Sequence, residues 1–135
     1  MREKRIRNTR KNEKGQSLVE FALVVPLLLL LVIGIFEFGR AWMTKNIVTG
    51  AAREAVRIYA VQNNLTASDT RADNVLSGGG LDLGRRTKTS NNIDNAVSYT
   101  ISYNFPVLIA GFIPGLDNII LESTTTMRRE WDVLP

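Results

Sequence analysis

The 135-residue chain contains no histidine and no cysteine. The first absence removes the side chain that most often acts as general base near neutral pH, and with it any Ser-His-Asp arrangement. The second removes thiol catalysis, disulfide staples and nearly every zinc or iron–sulfur centre. Nothing else in the chain makes up for these losses. Asp69, Asp73 and Asp82 are scattered over a glycine-containing stretch without the tight alternate spacing of a calcium loop. Gly78-Gly79-Gly80 lacks the Lys-Ser/Thr that closes a phosphate loop. Asn64-Leu65-Thr66 has the form of a glycosylation sequon, but such tripeptides arise by chance. The residues present imply no enzyme, no metal and no cofactor.

Positive charge is abundant but unevenly placed. A formal net charge of +4 and a pI near 9.8 would suit a nucleic-acid binder. Residues 1–15, however, hold seven basic and two acidic side chains, while the other 120 hold ten basic and eleven acidic ones. The excess belongs to a leader. The body of the chain carries no nucleic-acid footprint, and nucleic acid is not an expected partner.

Three regions follow with abrupt changes of composition. Met1–Gly15 is polar and basic without apolar periodicity, which predicts a disordered leader when free. Leu18–Phe36 is almost wholly apolar, interrupted only by Glu20. The uncharged stretch Phe21–Phe36 makes 16 residues, about 24 Å of helix; counted from Leu18 it makes 19, about 28 Å. A bilayer core is roughly 30 Å thick, so residues 18–36 suffice to span it, with Glu20 at or inside the edge. Lys and Arg concentrated before the span predict a cytoplasmic N-terminus and an exported C-terminal part. A cleaved secretory signal would end its apolar core in a small-residue site; this run ends in Phe36-Glu37-Phe38-Gly39-Arg40.

The helix is expected to continue beyond the membrane. After Trp42, a residue suited to the membrane interface, Ile47, Ala51, Ala55 and Ile58 recur at helical spacing, whereas Lys45, Arg53 and Arg57 project elsewhere. This predicts one helix from Ser17 to about Val61, within a segment 16–61, weakened but not broken by Gly39 and Gly50. Pro26 removes a backbone hydrogen bond and crowds the preceding turn, so a kink is predicted there. The remaining residues, 62–135, read as a small exported domain. Ser68–Leu76 has a helical pattern ended by three glycines, and Asp82–Asn95 reads as loop. Val97, Tyr99, Ile101, Tyr103 and Phe105 alternate with polar residues as in a half-buried strand, and Ile119–Met127 alternates likewise. Pro106–Gly115 reads as a crossing loop or covering turn. The fold class is therefore α+β: a long N-terminal transmembrane helix packed on a small antiparallel sheet.

The most informative stretch is Lys14-Gly15-Gln16-Ser17-Leu18-Val19-Glu20-Phe21. Glycine between a basic tail and an apolar helix offers a protease an extended, unhindered backbone. Cleavage after Gly15 would make Gln16 the first residue and Glu20 the fifth. A carboxylate near the membrane centre costs roughly 2.5–3.5 kcal/mol, and a new ammonium group, its own or a neighbour's, would offset that cost. Ser17-x-x-Glu20 also fits a capping box, and the two roles can coexist. Glu37 with Arg40, and Arg53 with Glu54 and Arg57, are either solvated helix charges or inter-subunit pairs. Ala51, Ala52 and Ala55 suit packing on the chain's own sheet or on another helix.

The leader, Gly15, Glu20 and the apolar helix together look like a type IV prepilin signal. The run Gly15-Gln16-Ser17-Leu18-Val19-Glu20-Phe21-Ala22-Leu23-Val24-Val25-Pro26-Leu27-Leu28, then Phe36-Glu37-Phe38-Gly39-Arg40, then Asn46-Ile47-Val48-Thr49-Gly50-Ala51-Ala52-Arg53-Glu54-Ala55, resembles the TadE-like family. These are minor pilins, or pseudopilins, of tight-adherence (Flp-type) pili. Met127-Arg128-Arg129-Glu130 resembles the family's terminal strand, while residues 62–126 carry little likeness. The resemblance implies cleavage after Gly15 by a prepilin peptidase, then contact with other pilin subunits and an inner-membrane assembly platform as well as membrane lipid. It also implies Glu20 as the subunit-contacting acid and Pro26 as the family's helix kink. The chain departs from some exported relatives in lacking a cysteine pair. An uncleaved, single-pass anchor displaying a binding module outside the membrane is the alternative reading.

Overall fold

The computed structural model describes residues 10–112, 115 and 117–131, giving the backbone alone for residues 10–14 and 111–112. The order of elements is α1 (Arg10–Gln62), α2 (Leu65–Gly78), a short 3-10 turn (Leu83–Arg85), β1 (Arg86–Ile93), β2 (Ala96–Pro106), a second 3-10 turn (Leu108–Phe112) and β3 (Asn118–Arg128). The chain forms two compact units, Met1–Phe36 and Glu37–Pro135. The expected α+β class, with a long apolar helix and a small antiparallel sheet, is what the structure has.

In the first unit α1 is long and apolar enough to cross a membrane. Its large side chains face outward, among them Phe21, Leu23, Leu27 and Phe36. This suits a segment whose surroundings are hydrocarbon, because an all-round apolar helix finds no soluble packing partner of its own here. Helix is already present at Arg10, earlier than Ser17, which corrects the disordered leader for residues 10–15. Arg10, Lys11, Glu13 and Lys14 are straight-chain residues that lose little rotamer freedom in a helix. Residues 1–9 of the leader lie outside the described residues. The backbone is helical on both sides of Pro26 and passes through Gly39 and Gly50 without a break.

The second unit places helices on one face of a three-stranded antiparallel sheet of order β1-β2-β3. The core gathers Val48, Ala51, Ala52, Ala55, Val56 and Tyr59 from α1, Ala72 and Leu76 from α2, and Val97, Tyr99, Ile101, Tyr103 and Phe105 from β2. All five inward residues expected on β2 are buried. The alanines of α1 are used within the chain, buried in this core. β3 pairs with β2 so that Leu121 faces Tyr103, Ser123 faces Ile101 and Met127 faces Val97, which extends the same inner surface. α1 ends at Asn63, whose φ of 49° is the left-handed conformation that commonly closes helices, and whose amide donates to the Tyr59 carbonyl at 3.1 Å. Asn64 then opens α2, its side chain accepting from the Ala67 amide at 2.9 Å.

One element departs from the sequence reading. Asp82–Asn95 is not a loop: it contains β1, paired along its whole length with β2 and joined to it through Asp94-Asn95. Strand alternation is present, but it is written in polar residues. Arg86, Lys88 and Ser90 turn partly inward while Thr87 and Thr89 face out. Pro106–Gly115 connects neighbouring strands through the second 3-10 turn, and residues 113 and 114 within it lie outside the described residues.

The full burial of these alanines makes a direct prediction. Ala55 is fully buried, whereas Arg57 is exposed. Ala55→Leu should cost about 1–3 kcal/mol by overpacking. Arg57→Leu should stay within about 0.5 kcal/mol. Denaturant unfolding of the micelle-bound chain distinguishes them, and equal midpoints would mean that Ala55 is not tightly enclosed.

Candidate functional site

The residues singled out for processing and assembly lie on the N-terminal part of α1. Gly15 is helical in the structure, not extended as expected from the sequence. Its position is open: a Cβ built there would meet nothing within 4 Å. Cleavage would need the helix to unwind locally, and glycine makes that easier by about 1 kcal/mol relative to alanine. Ser17 lies inside the helix, so it is not the N-cap, and the capping-box account of Glu20 fails in this form of the chain. Glu20 is exposed, and among the described residues it makes no ion pair. Gln16 is exposed beside them, and Pro26 lies within the helix six residues beyond Glu20.

A second acid, Glu37, has a very different setting. It is only 7% exposed. Arg40 Nη1 donates to both of its carboxylate oxygens at 3.0 Å, as i,i+3 spacing on a helix allows. The Leu108 amide donates to Oε1 at 2.6 Å across 71 residues of sequence. Arg40 also lies over the Phe105 ring, 4.9 Å from its centroid. One carboxylate thereby ties the start of this unit's helix to the end of β2 and its following turn. The Glu37–Arg40 pair was visible in the spacing; the Leu108 amide was not, because a backbone donor has no sequence signature. Beside this tie is a groove of about 270 Å³ lined by Arg40, Met43, Ile47, Leu81, Tyr103 and Phe105, among others. Gly79 closes one side so tightly that an added Cβ would fall 2.7 Å from Ile47.

Sequence reading also missed a charged cluster between α2 and β1. Arg86 grips Asp73 with two bonds, Nε to Oδ1 at 2.5 Å and Nη2 to Oδ2 at 2.7 Å. Lys88 Nζ reaches Asp73 at 3.1 Å, and Tyr99 donates its hydroxyl hydrogen to Asp69. The recoverable signal was acids at i and i+4 on α2 opposite bases at i and i+2 on β1. The hydrogen bond from Arg86, aided by Lys88, holds the Asp73 carboxyl below its ordinary value despite partial burial. The same bond raises Arg86. Burial, then the bond to Asp69, raises the Tyr99 phenol well above its usual range. Near neutral pH the acid stays ionised, the guanidinium charged and the phenol neutral, so this cluster is a clamp between elements. The half-buried Glu54 likewise pairs within the chain, with Arg57 and Arg71, both at 3.3 Å.

The sign of the pH effect follows from the lowered Asp73 value. Its stabilisation is complete above the ordinary carboxylate value of 3.8 and is lost as pH falls through the lower folded value. Asp73→Asn should remove about 1–2 kcal/mol at pH 7 and flatten the loss of stability below about pH 4. Urea unfolding at pH 7 and pH 3 measures both effects. An unchanged acid limb would assign the acid sensitivity to other carboxylates.

No curated protein and no solved structure matches the chain. A family model described as TadE-like protein matches residues 15–57. The match begins at Gly15, covers Gln16, Glu20, Pro26, Glu37, Arg40 and the buried Ala51, Ala52 and Ala55 of α1, and ends before the sheet. Over residues 15–57 the chain is thus similar to the TadE-like family, the one its motifs resemble.

Proposed function

We propose that this chain is a prepilin-type structural subunit of a tight-adherence pilus, held in the cytoplasmic membrane by residues 18–36 with its N-terminus inside and residues 62–135 exported. A prepilin peptidase cuts after Gly15, and the mature chain enters the pilus or its assembly platform through its N-terminal helix. The role is that of a minor subunit. The observation that carries this reading is Glu20, an exposed carboxylate without an ion-pair partner among the described residues, five positions beyond Gly15 on a helix of membrane-spanning length inside the TadE-like match.

The mechanism is packing and charge pairing, not catalysis. In lipid an ionised Glu20 lacks compensation. In an assembly, the ammonium group created at Gln16 of a neighbour supplies it, while apolar spans lie side by side. Hydrocarbon already solvates those spans, so association gains little from the hydrophobic effect and relies on packing and on the polar pair. A bend at Pro26 would let the first turns adjust to neighbours.

Gly15→Ala is a clean test because the added methyl meets open space and cannot disturb folding. Wild-type protein extracted from membranes should begin at Gln16 by N-terminal sequencing. The variant should keep its leader and fail to assemble. A mature wild-type chain that still starts at Met1 while pili form normally would favour the uncleaved anchor instead. Glu20→Gln separates the next step: insertion and cleavage should proceed, with incorporation into pili reduced by at least tenfold, about 1.4 kcal/mol. Undiminished incorporation would remove charge pairing from the mechanism.

A further inference from the structure

We infer that β3 is an open sheet edge at which two copies of this chain pair strand to strand, antiparallel and centred on Thr125. The inference goes beyond the pilin reading and depends neither on cleavage after Gly15 nor on Glu20.

The two edges of the sheet differ. β1 turns Arg86 and Lys88 inward onto Asp73 of α2, and inward charges of this kind discourage a foreign strand. β3 lacks inward charge, proline and bulge. Its register with β2 runs unbroken from Asn118 to Arg128, and its core-side positions are Ile119, Leu121, Ser123, Thr125 and Met127. Ile119, Ile120 and Thr124-Thr125-Thr126 favour extended backbone. In the order β1-β2-β3, one side of β3 bonds β2, and among the described residues no strand bonds the other. Lys45 Nζ donates to the Glu122 carbonyl, whose oxygen can still accept a partner's amide on its second lone pair.

The edge fits its own copy because of where its two charges stand. Glu122 and Arg128 are both exposed and lie on the same face of the strand. An antiparallel partner centred on Thr125 sets each Glu122 opposite the other copy's Arg128, Thr124 opposite Thr126, and Thr125 opposite itself. Two ion pairs form and no like charges meet. Centred on Ser123 instead, the strands would set Glu122 opposite Thr124 and Arg128 opposite Asn118, and pair no charges. Opposite charges and facing threonines are favourable cross-strand pairs. Within the chain, the hydroxyls of Thr100 and Thr124 already meet at 2.9 Å across β2 and β3. Ser102 donates to Glu122 Oε2 at 2.9 Å, which holds that carboxylate on the outer face, and Arg128 makes no ion pair among the described residues. Pairing at β3 leaves the two charged β1 edges outermost, so association closes at two copies.

A strand-to-strand contact is a small interface, so covalent trapping is the suitable readout. The chain has no cysteine, and Thr125→Cys places its only thiol at the centre of the pair, where cross-strand distances suit a disulfide. The full chain in detergent micelles, mildly oxidised, should form linked dimer several-fold faster with Thr125→Cys than with Thr89→Cys, an exposed position on β1. Added to Thr125→Cys, either Glu122→Arg or Arg128→Glu should slow linkage about tenfold, because each leaves two like-charge pairs. The double reversal should restore it, which misfolded chains could not show. Linkage at 125 no faster than at 89, or a double reversal without recovery, would overturn the inference. Preferential linkage through Ser123→Cys would also overturn it, since that register pairs no charges. A chain that keeps its leader through Gly15→Ala should link equally well, so this inference and the pilin reading fail separately.

Discussion

A helix that leaves a hydrocarbon-like sequence and enters a protein core must change what it buries within a turn, and Glu37 is where this chain makes that change. Before it, α1 presents large apolar residues on every side; after it, α1 narrows to an alanine- and valine-rich stripe against the sheet. Glu37 sits at the first residue of the compact second unit and is buried. A buried carboxylate is tolerated only with compensation, and here a guanidinium and a backbone amide provide it. The same compensation attaches the β2–β3 connection to the helix, so one electrostatic requirement organises this end of the domain.

The rest of the second unit follows from a small core. A three-stranded sheet cannot close on itself, and its stability depends on helices covering one face. α1 does so with a stripe of alanine and valine, and α2 adds Ala72 and Leu76. Where α2 meets the edge strand β1, the contact is ionic: Asp73 with Arg86 and Lys88. An edge strand with charged inward residues is also a poor template for pairing with foreign strands.

These arrangements distinguish two kinds of carboxylate. Glu37, Asp73 and Glu54 are each satisfied inside the chain. Glu20 makes no ion pair among the described residues, although it borders the most apolar part of the sequence. In the proposed assembly, a neighbouring subunit would supply its partner. The TadE-like match over the same helix supports the same reading.

Long-period features were legible in the residues themselves. The apolar run and the β2 alternation announced a helix and a central strand, since burial of a whole face imposes a period that composition alone records. The alanine stripe also pointed correctly to the core, and the Gly15–Glu20 spacing marked the candidate processing and assembly residues before any fold was known. Other features needed three dimensions. β1 went unread because its inward positions are Arg86 and Lys88, whose partners lie on α2; polar alternation resembles loop until the opposing acids are in place. The start of α1 was missed because leader residues with good helix propensity extend a helix that apolar periodicity would begin later. Nor could Glu37 be seen to hold Leu108, because that bond uses a main-chain N–H common to almost every residue. Local pattern thus determined the apolar span, the small-residue stripe of α1 and the central strand β2. Only tertiary structure decided which charges are neutralised within the chain, because that depends on distances between segments remote in sequence.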